Sequence, residues 1–108
     1  MANDQTHFDF AGKKAVVSGA TRGIGRAITE ALLERGAQVV GVYGGNEAAA
    51  EAMAAACDRF GDRLRLHRLD VSDFAAATAF FQALEAEWGS LDILVNNAGI
   101  RRDAVLAM

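Results

Sequence analysis

Proline is absent from the 108 residues, and cysteine, tryptophan and tyrosine occur once each. Without proline, no segment reads as a stiff spacer between domains. With Cys57 alone, an internal disulfide is impossible and a cysteine-based metal cluster is excluded. The two histidines, His7 and His67, are far apart and lack carboxylate neighbours at metal or catalytic spacing. No apolar run approaches the roughly 20 residues that span a bilayer. The opening MANDQTHFDF lacks the basic-then-apolar order of a signal peptide. These absences point to a soluble cytoplasmic protein with no membrane partner.

Charge of either sign is modest. The formal net charge of −3 gives no general attraction to nucleic acid or anionic membrane, so an anionic ligand needs a local positive site. Half of the residues are hydrophobic, which argues for a globular core and against disorder. The length suits one small domain, residues 1–108.

What is present alternates between two periods. Lys14-Ala15-Val16-Val17-Ser18 reads as a short buried strand. From Gly23 to Arg35, the apolar residues Ile24, Ala27, Ile28, Ala31 and Leu32 recur at helical spacing, and Gly36 suits a left-handed stop. Gln38–Tyr43 is a second strand. Asn46 suits an N-cap for an alanine-rich helix expected to run to about Phe60, with Gly61 as its stop. Arg63–His67 alternates polar and apolar like an edge strand. Ser72 or Asp73 caps a third helix with Ala77, Phe80, Phe81, Leu84 and Trp88 on one face. Leu91–Asn96 reads as a fourth, interior strand.

Strands alternating with helices imply a parallel sheet with right-handed crossovers. The fold class is α/β: a Rossmann-type doubly wound sheet, βαβαβαβ, with expected strand order 3-2-1-4 and an incomplete C-terminal end.

The chemistry-bearing stretch is SGATRGIG, residues 18–25. Gly19, Gly23 and Gly25 fall where the first strand hands over to the first helix. The first glycine permits a sharp turn. The next two remove side chains, so a ligand reaches the backbone and the helix lies close to the sheet. The helix N-terminus presents unpaired N–H groups and partial positive charge, which suits a pyrophosphate. The spacing is G-x-x-x-G-x-G, and its place in a βαβ unit gives it weight beyond three glycines in a turn.

This stretch resembles the T-G-x-x-x-G-x-G cofactor motif of the short-chain dehydrogenase/reductase family, with Ser18 in place of threonine. Asp70-Val71 and Asn96-Asn97-Ala98-Gly99 resemble its D-V and N-N-A-G signatures. NNAGIRRDAVLAM further resembles the 3-oxoacyl-[acyl-carrier-protein] reductase branch and its acetoacetyl-CoA reductase relatives.

The resemblance implies that Gly19, Thr21, Arg22, Gly23, Ile24 and Gly25 line the pyrophosphate and adenosine-ribose side of a cofactor. Asp70 and Val71 would sit by the adenine, and Asn97, Ala98 and Gly99 would pass the cofactor with their backbone. Asn96 would tie neighbouring strands together. Asp70 also suits a plain strand end, and N-N-A-G an ordinary turn.

An NAD site commonly places an acid about 20 residues past the glycines. That position is Tyr43, and no acid follows until Glu47. With Arg22 inside the glycine turn, the expected cofactor is NADP(H); alternatively, Arg22 is a solvated loop charge.

Other charged groups read as structure. Arg63, Arg65 and Arg68 suit a solvated strand edge, and Cys57 suits packing. Arg101 and Arg102 either meet an acyl-carrier or CoA phosphate or are loop charges.

The family's catalytic tyrosine and the lysine four residues after it have no counterpart here, since Tyr43 is followed at that spacing by Glu47. The resemblance therefore implies the cofactor half of a longer NADPH-dependent reductase of a 3-oxoacyl thioester, acting on a small-molecule or carrier-bound acyl substrate. No catalytic residue lies in this chain, no metal is implied, and the full protein would be a homo-tetramer. The 108-residue chain alone is expected to be inactive. Two rival readings are a nucleotide-binding or interaction module without chemistry, and a methyltransferase, which the missing acid after the second strand disfavours.

Overall fold

Four β-branched or leucine-rich segments pair side by side in the computed structural model, which describes residues 9–97. The strands are β1 (Lys14–Ser18), β2 (Gln38–Tyr43), β3 (Leu64–Arg68) and β4 (Ile93–Asn96). Between them run α1 (Gly23–Glu34), α2 (Glu47–Ala56) and α3 (Phe74–Trp88). All described pairings are parallel, in the order β3-β2-β1-β4 expected from the sequence. Every strand's carboxyl end therefore points to one edge of the sheet.

The register assigns side chains to faces, because residues paired in register on parallel strands share a face. Ala15, Val39, Leu64 and Ile93 align, as do Val17, Gly41, Leu66 and Val95. This first face packs against Leu32 and Leu33 of α1 and Met53 of α2. The opposite face offers Val16, Val40 and Val42 to Leu84 of α3 and to Leu69. Burying each large apolar side chain stabilises by about 1.5–3 kcal/mol, an upper figure because unfolded chains are partly compact.

The helix ends follow local chemistry. Asn46 accepts from the Ala49 amide at 2.9 Å, and Asp73, rather than Ser72, accepts from Ala76 at 3.0 Å. Gly36 (φ 100°) follows α1, and Gly89 (φ 79°) closes α3. The face predicted for α3 packs as expected, with Ala77, Phe80, Phe81 and Trp88 around Leu84.

Besides β3, which runs Leu64–Arg68 in place of Arg63–His67, three elements differ from the sequence reading. In α1, Ile24, Ala27 and Ala31 face solvent, while Gly25, Thr29, Leu32 and Leu33 are buried. The helix lies close to the sheet, so its tightest contacts need small residues. The buried Thr29 hydroxyl is satisfied by donating to the Gly25 carbonyl at 2.9 Å.

The second helix stops at Ala56 instead of Phe60. A 3₁₀ segment, Asp58–Arg63, follows, with Gly61 at φ 58°. It turns Phe60 into the first-face core between Arg59 and Arg63, whose guanidinium carbons lie 4.3 and 5.3 Å from the ring centre. Arg63 is not a solvated edge charge: it donates to the Leu33 carbonyl in the last turn of α1 and to the Ala37 carbonyl just before β2. Finally, β4 begins at Ile93, after Asp92 and Lys14 have exchanged bonds. The Lys14 amide donates to the Asp92 carboxylate, and the Asp92 amide to the Lys14 carbonyl, each at 2.9 Å.

Candidate functional site

The site forms where β1 ends and the chain must turn into α1. Gly19 (φ 63°) and Gly23 (φ 59°) take left-handed conformations that a side chain disfavours. The turn is tied down from two sides. The Ala20 amide donates to the Val42 carbonyl at 3.1 Å, and Asn97 Nδ2 donates to the Gly19 carbonyl at 3.3 Å.

Gly25 lies behind the turn rather than on its open side. A Cβ there would collide with the Gly19 carbonyl oxygen and lie 2.8 Å from Asn97 Nδ2. Its role is to let the helix start against the turn. Arg22 is the N-cap, with extended backbone and no side chain capping the helix. The first amides of α1 are thus left for an outside acceptor, and the helix dipole favours an anion there.

These residues open onto a cleft of about 1200 Å³ along the carboxyl edge of the sheet. That edge, next to the point where strand order reverses between β1 and β4, is where open α/β sheets bind ligands. Gly19, Thr21, Arg22, Gly23 and Ile24 line one side. Tyr43, Asp70, Val71 and Asn97 also line it, so the structure brings together nine of the twelve residues singled out in the sequence. Gly25 stands behind the wall, and Ala98 and Gly99 lie outside the described residues. Asn96 is the Ser18 hydroxyl's partner at 3.3 Å, a link from β4 to β1 as expected.

Sequence reasoning missed part of the lining. Gly44, Gly45, Asn46 and Arg68 complete the end of the cleft beyond β2. Arg68 is the last residue of β3, and its position at a strand's carboxyl end was the available signal. It donates from Nε to the Gly44 carbonyl at 3.2 Å and from Nη1 to Glu47 Oε2 at 3.0 Å. Glu47 Oε1 in turn accepts from the Tyr43 hydroxyl at 3.2 Å. The acid that sequence spacing placed too far along the chain is therefore folded back beside Tyr43 and engaged by a cation.

The lining carries Arg22 and Arg68 against Asp70, a local positive excess in a chain of net charge −3. Partial burial, and then the bond to Glu47, raise the Tyr43 phenol above its ordinary pKa, so it stays protonated at neutral pH. Asp70 moves the other way. The Ser72 hydroxyl and amide donate to its Oδ1 at 2.6 and 2.9 Å and hold its carboxyl below the usual range. Among the described residues its second oxygen has no donor, so this fixed carboxylate is ready to accept from an amine.

No group of three or more histidine, cysteine or acidic residues suited to a metal occurs among the described residues. Cys57 is buried at the end of α2, and burial followed by the nearby Glu30 carboxylate pushes its thiol up, away from thiolate reactivity. No helix among the described residues is long and apolar enough to cross a membrane.

Comparisons with known proteins agree with this geometry. The family model described as short chain dehydrogenase matches residues 13–108. The 3-oxoacyl-[acyl-carrier-protein] reductase FabG of Escherichia coli (strain K12) is 46% identical over 98 residues, which are 91% of this chain and 38% of that protein. Acetoacetyl-CoA reductase of Paracoccus denitrificans is 42% identical over 93 residues, 86% of this chain and 36% of that one. The chain thus spans well under half the length of these relatives.

Among solved structures, a dehydrogenase/reductase from Sinorhizobium meliloti 1021 superposes with a TM-score of 0.80 at 36% identity, over 93% of this chain and 40% of that one. The RhlG/NADP complex of Pseudomonas aeruginosa gives 0.74 at 40% identity, over 89% and 38%. With a family match over residues 13–108 and a fold that superposes on solved members at 36–40% identity, this chain belongs to the short-chain dehydrogenase family.

Proposed function

We propose that this chain supplies the dinucleotide-binding part of an NADPH-dependent reductase that converts a 3-oxoacyl thioester to its 3-hydroxy form. The observation that carries the reading is the uncapped start of α1, held open by Gly25 against the Gly19 carbonyl. A cradle built from bare amides and two left-handed glycines fits a pyrophosphate. The named reductases among the relatives support the substrate class.

In this reading the α1 amides, with Gly23 and Ile24, hold the pyrophosphate. Asp70 accepts from the adenine amine, Val71 packs beside the ring, and Arg22 favours a 2′-phosphate. Ala98 and Gly99 are assigned to cofactor binding by their place in the N-N-A-G signature. When bound, the nicotinamide supplies the hydride for the β-carbonyl. The proton comes from a residue outside this set, since Tyr43 is engaged with Glu47 and has no lysine four residues on. The chain alone is therefore expected to bind cofactor without turnover, and the protein to work in the cytoplasm.

Calorimetric titration with NADPH and NADH tests the reading. NADPH is expected to bind at least about tenfold tighter, the order of one charge-assisted contact. Equal or tighter NADH binding would overturn the preference, and absence of binding by both would overturn the site.

A further inference from the structure

The sequence treats Arg68 as an edge charge, yet the structure puts it on the cleft. Two bonds hold its guanidinium over the Gly44–Gly45 turn: Nε to the Gly44 carbonyl, and Nη1 to Glu47. A guanidinium has five N–H donors, so three remain without a partner among the described residues. Nη2 carries two of them and lies 3.8 Å from where a Cβ on Gly45 would stand. The turn beneath it carries no side chain, so a ligand can approach the fork closely.

The support behind the fork is itself fixed. One Glu47 oxygen receives Arg68 and the other receives the Tyr43 hydroxyl. Glu47 opens α2, where the helix dipole favours a carboxylate. Tyr43 is anchored because its carbonyl accepts from the Leu69 amide at 2.8 Å, one residue past Arg68. The pair Arg68–Glu47 is more than half exposed on the arginine side, so it adds little to stability. An exposed cation with spare paired donors, set in a cleft wall, is better explained by a ligand than by the fold.

We propose that Arg68 is a specificity-determining residue: its free donors take a phosphomonoester on the adenosine ribose, with Glu47 and Tyr43 positioning the fork from behind. The inference rests on the dinucleotide reading above and assigns to Arg68 the contact that sequence spacing assigned to Arg22 alone. The guanidinium matches a phosphate oxygen pair in a way that an ammonium does not.

The test uses the purified protein and four probes: NADPH, NADH, 2′,5′-ADP and 5′-AMP. Arg68→Leu is expected to weaken NADPH and 2′,5′-ADP roughly ten- to a hundredfold while leaving NADH and 5′-AMP within about twofold. Arg68→Lys is expected to recover only part of the loss, because it restores charge without the fork. Arg22→Leu, run in parallel, separates the two arginines.

Equal weakening of all four probes by Arg68→Leu would mean a structural role and overturn the proposal. So would an unchanged ratio of 2′-phosphorylated to plain ligand, with Arg22→Leu alone altering it; the dinucleotide reading would then stand. Wild-type protein that binds no probe overturns that reading, and this proposal with it.

Discussion

The two faces of the sheet are filled in different ways. The α1–α2 face is hydrocarbon from edge to edge: Ala15, Val17, Val39, Leu33 and Met53 are almost wholly buried, with Leu64, Leu66, Ile93 and Val95 packed around them. The α3 face has valines in the middle and polar groups at the β3 edge, where Arg65 and His67 point outward from the same register rows. There α3 meets them with aromatic rings. His67 stacks on Phe80 with ring centres 4.8 Å apart, and Arg65 lies 5.9 Å from the Trp88 ring centre. On the other side of β1, Leu94 remains 46% exposed.

One face thus holds the fold together, while the other tolerates polar groups. The cleft sits on the seam between them. Its turn leads into α1 on the well-filled side, and Arg68, Asp70 and Val71 lead toward α3 on the looser side. Backbone amides come from the first side and side-chain charges, each held by hydrogen bonds, from the second.

The sharpest way to break this contrast is a pair of truncations. Leu33→Ala is expected to cost about 3–4 kcal/mol, and Leu84→Ala about 2 kcal/mol, because the α3 face can collapse around the gap. Urea unfolding of both variants measures this, and equal losses would erase the difference between the faces.

Next in size is Gly41→Ala. Its Cβ would stand 2.8 Å from the Ala20 Cβ and 2.9 Å from Leu66 Cδ2. A cost of roughly 1–3 kcal/mol is expected for such overpacking, together with weaker cofactor binding, since Ala20 belongs to the glycine turn. A neutral result would show that the first face has slack.

Arg63→Met keeps the stem over Phe60 but removes one bond to an α1 carbonyl, that of Leu33, and one to the Ala37 carbonyl just before β2. A loss of about 1–2 kcal/mol is expected for a charged donor, and hydrogen exchange should localise it to the end of α1. Exchange that rises equally on both faces would contradict a local cap.

The smallest effect is on acid stability. Glu30, held low first by its bond from Arg26, lies on α1, and Asp70, held low by Ser72, leads to α3. A carboxyl whose folded pKa is depressed stabilises the fold above its unfolded pKa, near 4, and loses that contribution as pH falls through the folded value. Glu30→Gln and Asp70→Asn should each flatten the decline in stability below about pH 4. Steeper decline in either variant would reverse the assigned sign.

Much of this architecture is written locally. The Phe80–Leu84–Trp88 stripe and Gly89 define α3 within its own length and are read correctly from the sequence, which leaves its N-cap open between Ser72 and Asp73. The glycine turn is likewise legible, because its spacing belongs to one strand–helix junction. What escaped reading depends on groups that meet only after folding. Arg63 and Arg68 look alike in an alternating segment, yet one seals the end of α1 and the other reaches the cleft. The α1 stripe was misjudged at Ile24, Ala27 and Ala31 because close packing through Gly25 and Thr29 turns the helix away from its most apolar residues. Glu47 opens α2 while Tyr43 ends β2, and the Gly44–Gly45 turn between them folds the carboxylate back onto the phenol.

The pairing of β1 with β4 also bears on how the chain assembles. The Lys14–Asp92 exchange joins residues 78 positions apart, whereas β1, β2 and β3 are neighbours in chain order as well as in space. Loop-closure entropy delays such distant contacts. A growing polypeptide can therefore lay down the β1–β2–β3 ribbon while its first crossover helices form, and β4 joins β1 only afterwards. Until then β1 exposes a bare hydrogen-bonding margin, which makes this margin the place where a stalled or crowded chain would recruit the wrong strand.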